Sequence, residues 1–233
     1  YLVNWRWFAI GIILAVLGAY LYLRYSTPQY SAETVILIKE NKQGGISAEF
    51  KAFEDLGILG GAQNNIDNEI EIIKSRKIIR ETIKNLKFNI SYFMSSRIKE
   101  KEIYNKLPIR IHFIDEEASL TNIGTTFFVK LKENENLVLL SAEKEVIGNY
   151  HLGEIIDNKI GKFKVVLGNE TKRSFTKEIR VQIKPINLLI DTYQKRVVIA
   201  PVNKKSSVVN LSLNDAVKNK AVDFLNNLVA TYN

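Results

Sequence analysis

DNEIEIIKSRKIIRETIKNL, residues 67–86, is the most strongly helical stretch of the chain, and it carries two apolar stripes rather than one. Ile66, Ile70 and Ile73 share one face at helical spacing. Ile72, Ile79, Ile83 and Leu86 share another, nearly opposite. A single straight helix that buries one side does not account for both. A bend near Ser75, whose hydroxyl can cap a second helix, reconciles them, and so do two covered faces in a larger assembly.

The chain changes character on both sides of this stretch. Upstream, YSAETVILIK (30–39) is rich in β-branched residues and reads as a strand. Between them, Gly44-Gly45 and Gly60-Gly61 punctuate a segment where Phe50, Phe53, Leu56 and Leu59 recur at three-residue steps, the pattern of a short helix or a loop. Downstream of Asn89 the period becomes two: PIRIHFI (108–114), TTFFVKLK (125–132), NLVLLSA (136–142), GKFKVVL (161–167) and KEIRVQIK (177–184) read as short strands. Asn134-Glu135-Asn136 and Asp157-Asn158 supply turn chemistry between them. After Pro185 come a helix over Ile186–Lys195, strands over 196–202 and 207–213, and a final helix expected to start at Asn214 as N-cap, with Asp215 in its first turn. Val217, Ala221, Phe224 and Leu228 form its apolar stripe. No helix-ending signal precedes Asn233, so the natural chain is expected to run on.

At the other end, WFAIGIILAVLGAYLYL (Trp7–Leu23) is 17 residues without a charge. That is the short end of what crosses a bilayer core, and Arg6 and Arg24 bracket it. Trp5 and Trp7, and then Tyr20, Tyr22 and Tyr25, fall where amphipathic rings sit at the two interfaces. No small-x-small cleavage site follows Leu23, which argues against a cleaved signal. Trp5, Arg6, Trp7, Arg24 and Tyr25 are the interface anchors; Gly11, Ala15 and Gly18 form a small-residue stripe that lets another membrane helix approach. Pro28 ends the span.

Composition narrows the chemistry. The absence of cysteine excludes disulfides and thiolate metal sites, and His112 and His151 are isolated in strand- or turn-like surroundings. The formal net charge is +8. Lys74, Lys77, Lys84, Lys204 and Lys205 are candidates for an anionic partner, set against the ordinary reading of a solvated basic face. No recognition-helix, zinc-finger or aromatic RNA-binding pattern accompanies the charge, so nucleic acid is not expected. No phosphate-binding loop occurs, and Gly161-Lys162 and Gly168-Asn169 lack its spacing. The acidic groups Asp67, Glu69, Glu71 and Asp115-Glu116-Glu117 read as a helix start and a solvated strand end. The sequons at Asn89, Asn169 and Asn210 are what an Asn-rich chain produces by chance. No catalytic constellation, cofactor site or metal site is expected.

The residues resemble a known family. A membrane helix followed by Thr27-Pro28-x-Tyr30-x-Ala32 and a β-branched strand is similar to the start of Wzz-type chain-length determinants, the polysaccharide co-polymerases. Asn68-Glu69-Ile70-Glu71-Ile72-Ile73-Lys74-Ser75-Arg76, with Ile78-Ile79 and Leu86, resembles a helix of that family. Glu102-Ile103-Tyr104 with Pro108 resembles the branch fused to capsular tyrosine autokinases. Ser206-Ser207-Val208-Val209 through Asp215-Ala216, with Ala221, Leu225-Asn226 and Tyr232, resembles the family's closing strand and helix.

The resemblance implies a protein of the bacterial inner membrane whose soluble domain faces the periplasm. It would form a homo-oligomeric ring and set the chain length or export of a capsular, exo- or lipid-linked polysaccharide. Its partners would be membrane lipid, further copies of itself, the polysaccharide polymerase or outer-membrane export channel, and the glycan. A cytoplasmic tyrosine autokinase domain would follow in the fused branch. Asn68, Glu69, Glu71, Lys74, Arg76 and Arg80 are the candidate subunit contacts. The expected fold is α/β: a transmembrane helix and flanks (1–27), a Wzz-like α/β domain in two parts (28–107 and 186–233) and a β-rich insertion (108–185). The alternative is the extracytoplasmic sensor domain of a membrane signalling receptor.

Overall fold

The computed structural model describes residues 5–26, 28–38, 61–95, 100–114, 124–132, 135–169, 178–203 and 206–233. The Phe50–Leu59 segment and Asp115-Glu116-Glu117 lie outside them. Helix α1 (Trp5–Tyr25) spans 21 residues with none buried. It is long and apolar enough to cross a membrane.

The remaining described chain forms two cores. The first unit is built from the two ends of the sequence. Strand β1 (Tyr30–Leu37) pairs antiparallel with β12 (Val208–Asp215), which pairs with β11 (Val197–Pro201), giving the order β1-β12-β11. One face of this sheet is covered by α2 (Gly61–Ile73), α3 (Arg76–Asn85), α4 (Ile186–Arg196) and α5 (Lys218–Tyr232). Ala32, Val209, Leu211, Leu213 and Ile199 from the strands meet Ile73, Ile79, Ile83, Ile190, Phe224 and Leu228 from the helices.

The 67–86 stretch does break. Helix α2 ends at Ile73, Ser75 takes extended backbone (φ −60°, ψ 147°), and its Oγ accepts from the Ile78 N–H at 3.4 Å as N-cap of α3. The break turns Ile66, Ile70 and Ile73, and separately Ile79 and Ile83, into the same core. Ile72 does not follow its expected stripe: placed in the last turn of α2, before the turn, it is 48% exposed.

The last helix also departs from expectation. Asn214 and Asp215 finish strand β12, and the N-cap is Val217. Asp215 is drawn inward by Arg196, and its Oδ1 accepts from the Val217 N–H at 2.9 Å, so the carboxylate forms a turn ahead of the helix rather than sitting in its first turn.

The second unit is a β-sandwich. Strands β2 (Ile90–Ser95), β3 (Glu100–Ile103), β5 (Thr125–Leu131), β6 (Asn136–Leu140), β7 (Val146–His151) and β10 (Glu178–Ile183) form a six-stranded sheet in the order β3-β2-β10-β5-β6-β7. Strands β4 (Ile109–Phe113), β8 (Ile155–Asn158) and β9 (Gly161–Leu167) form a three-stranded sheet, β4-β9-β8. All pairings are antiparallel.

Inward residues of both sheets (Phe127, Val129, Leu137, Leu139, Val181 against Ile109, Ile111, Ile156, Phe163, Val165) make one core, as alternation requires. The Ile111 N–H donates to the Tyr92 hydroxyl at 2.9 Å, which ties the two sheets together. Gly168 closes the seam: a Cβ there would lie 1.9 Å from the Leu107 carbonyl oxygen. Beside it, Asn169 accepts from Leu107 N–H (3.0 Å) and donates to Asn105 O (2.6 Å).

The sandwich segment leaves and rejoins the first unit at one place. Lys184 N–H donates to Asn89 O at 2.9 Å, just inside Phe88 and Pro185.

Candidate functional site

The joint between the units is the most chemically loaded place among the described residues. Lys220, in the first turn of α5, lies on the buried stripe with Ala221 and Phe224 and is 8% exposed. Its Nζ pairs with Glu102 Oε1 of β3 at 2.5 Å, and the same oxygen accepts from Ser91 Oγ of β2 at 3.0 Å. A charged side chain on an apolar helical face needs a partner, and here the partner comes from the sandwich. Lys220 also stands over the Phe88 ring at 5.1 Å.

Phe88 belongs to an aromatic cluster. Tyr193 and Phe224 stack at 4.3 Å between centroids, and Phe88 lies 5.7–6.0 Å from Tyr104, Tyr193 and Phe224. Burial pushes the Tyr193 hydroxyl well above its usual range, with the Asp215 carboxylate adding to it. Burial, then the hydrogen bond with Asp223, does the same to Tyr104. Both phenols therefore stay neutral.

Two clefts flank the Lys220–Glu102 pair. One, of about 460 Å³, is lined by Tyr92, Tyr104, Arg110, His112 and Asp223 among others. The other, of about 410 Å³, runs along α4 past Leu188, Thr192 and Arg196 to Asp215 and Gln29. Arg196 donates to Asp215 Oδ2 at 2.8 Å and to the Asn214 carbonyl. The walls hold paired charges and neutral phenols, an arrangement suited to binding and to holding two units in register. No group of three His, Asp or Glu side chains converges among the described residues.

The helix around residues 68–80 is tied down within its own unit. Arg76 pairs with Asp191, Arg80 Nη2 donates to Asn187 Oδ1 at 3.4 Å, and Glu69 Oε2 accepts from Tyr232 OH at 2.6 Å. Burial and that hydrogen bond raise the Tyr232 pKa to about 12. Gln194 donates to the Lys74 carbonyl at 2.9 Å, which brings Lys74 against the last turn of α4. Asn68, Glu71, Lys77 and Lys84 are exposed; Lys204 and Lys205 lie outside the described residues. Arg24 Nη1 donates to Tyr20 OH at 2.9 Å on α1, and nothing in the chain crowds Gly11 or Gly18. Asn89 is 4% exposed and Asn210 Oδ1 is buried, so neither offers a sequon to a glycan.

Sequence reasoning missed Glu102, Lys220 and Asp223. The signal for one was present: Lys220 falls three residues after Val217 and four before Phe224, on the apolar stripe itself.

Residues 2–86 match the family model of Wzz, the chain length determinant protein. The chain's resemblance is to Wzz. The matched region holds α1, β1, α2 and α3, one half of the split α/β unit and none of the sandwich. Wzz domains are non-catalytic chain-length determinants. The tyrosine-protein kinase ptk of Acinetobacter johnsonii is 33% identical over 87 residues, which cover 37% of this chain and 11% of that protein. Two crystal structures of Xanthomonas campestris FlgL align with TM-scores of 0.24 and 0.25 at 9% and 11% identity, over 61% of this chain and 40–41% of theirs. At such scores they carry no inference about this fold.

Proposed function

We propose that this chain is the membrane-anchored, extracytoplasmic region of a polysaccharide co-polymerase. It regulates chain length or export of a capsular, exo- or lipid-linked polysaccharide by oligomeric scaffolding rather than catalysis. The single observation that carries this is the Wzz match over residues 2–86, which takes in the membrane helix, the first strand and the broken helix pair. The partial match to a tyrosine-protein kinase supports the branch in which a cytoplasmic autokinase follows.

In this reading the expected division into 28–107, 108–185 and 186–233 shifts at its first boundary: β2 and β3 pair within the sandwich sheet, so the Wzz-like domain comprises the segments up to Asn89 and from Lys184 onward, with the sandwich between them as its insertion. Gly11, Ala15 and Gly18 pack against a neighbouring span. The exposed side chains Asn68 and Glu71 and the half-buried Lys74 around the α2–α3 corner meet the next copy in a ring, where Arg76 and Arg80 hold the corner in shape. The domain stands on the periplasmic side of the inner membrane, where polymerase, export channel and glycan are within reach.

The test is the length distribution of surface polysaccharide, by gel, in cells deleted for the gene and then complemented. Loss or shift of the modal length, restored on complementation, is the expected result. Unchanged amount and length would overturn the reading.

A further inference from the structure

The sheet register fixes which end of the first unit faces the membrane. Tyr30 pairs with Asp215, and Val197 with Leu213, so Asp215, Arg196 and the start of α5 lie level with the point where β1 begins. Four residues, Ser26–Gln29, separate β1 from the end of α1, a reach of at most about 18 Å over the five steps from Tyr25 to Tyr30. Gln29 itself lines the cleft that runs to Arg196.

The charges at this end are one-sided. Arg24 closes α1, Lys195 and Arg196 close α4, and Lys218 opens α5. Against them stand Asp215, which is 5% exposed and already paired with Arg196, and the exposed Glu33, three residues further along β1. The next carboxylate back along α4, Asp191, is paired with Arg76. The ammonium groups of Lys195 and Lys218 are thus held within about one or two screening lengths of the bilayer surface.

We propose that this end of the domain seats on anionic phospholipid, with Lys195, Arg196 and Lys218 facing headgroup phosphates and the Gln29–Arg196 cleft opening onto the same layer. The inference rests on α1 crossing a membrane and not on the polysaccharide role.

The absence of cysteine gives a clean test on the full chain. A single fluorophore is placed through Asn219→Cys, in the first turn of α5. Another is placed separately through Val202→Cys, about 20 Å away at the other end of the sheet. The labelled chains are reconstituted into phosphatidylcholine vesicles with or without phosphatidylglycerol, each carrying a headgroup-spin-labelled lipid as quencher. Quenching at 219 should rise with phosphatidylglycerol, while 202 stays dark to the quencher. The double reversal Lys195→Glu/Lys218→Glu should remove that rise, each lysine having contributed a factor of about five to the ratio of seated to lifted domain.

Equal quenching in both lipids, no effect of the reversal, or equal quenching at 219 and 202 would overturn the proposal. Inorganic phosphate at matched ionic strength should change nothing; if it releases the domain, the site is one for a soluble anion and the lipid assignment is wrong. Failure of the polysaccharide reading would show in the gel and leave this measurement untouched.

Discussion

The two cores of this molecule are assembled from the chain in opposite ways. The sandwich is one continuous piece, from β2 to β10, and four of its seven strand pairings join neighbours in sequence. The α/β unit is split: β1, α2 and α3 cannot close their core until α4, β11, β12 and α5 return from the other side of the sandwich. Contacts that distant close long loops and form slowly; the sandwich also has long closures, β2 with β10 and β4 with β9, but all of them lie within one uninterrupted segment. A family signature confined to residues 2–86 therefore describes half of a unit whose other half lies a hundred residues on.

Four tests break or sharpen that contrast. The largest effect comes from emptying each core in turn. Phe224 and Phe163 are both fully buried, one at the heart of each unit, and truncation to Ala costs about 3–5 kcal/mol. Hydrogen exchange on the full chain in detergent should show Phe224→Ala loosening β1 and β12 while β5 and β10 stay protected, and Phe163→Ala doing the reverse. If either change loosens both sets equally, the units are one cooperative body.

Next is the pair that joins them. The Lys220 and Glu102 side chains are only 10% and 19% exposed, so Lys220→Met leaves a nearly buried carboxylate and should cost about 2–4 kcal/mol. The double change with Glu102→Gln should recover most of it. A double-mutant cycle by denaturant titration reads the coupling; a value near zero would mean the joint is held by the aromatic cluster alone.

A pH titration sharpens the sandwich side. Burial raises the Tyr92 pKa to about 12, above its unfolded value near 10. The native state then holds a proton that the unfolded chain gives up. The stabilisation is full below about pH 10 and is lost as pH rises to about 12, some 2–3 kcal/mol in all. Tyr92→Phe should flatten this alkaline fall in exchange protection of β2 and β4.

The smallest effect is at the cap: Ser75→Ala removes a 3.4 Å bond and should lower stability by about 0.5–1 kcal/mol. Ser75→Asp should largely restore it, as measured by thermal melts.

The contrast also explains what could be read in advance. The break at Ser75 was legible as one of two ways to reconcile the opposed stripes, the other being two covered faces, and β1, β11, β12 and five sandwich strands were legible from β-branched runs and alternation. Strands β2, β3, β7 and β8 were not: EKEI and VIGNYH carry no alternation of their own and owe their state to the strands they pair with. Asn214-Asp215 looked like a cap because local chemistry favours one there. The ion pair with Arg196, nineteen residues away, won. The joint stayed hidden for the same reason, since Glu102 and Lys220 meet only after the chain has folded back across more than a hundred residues.

The single hydrogen bond from Lys184 N–H to Asn89 O has a genetic meaning. It places the two cut points of a whole module within one peptide's reach, so a gene could gain, lose or exchange everything between them and the rest of the chain would keep its thread. A short turn written in place of the sandwich would give the minimal form of the first unit, and a different module spliced between the same two residues would inherit its position on that unit.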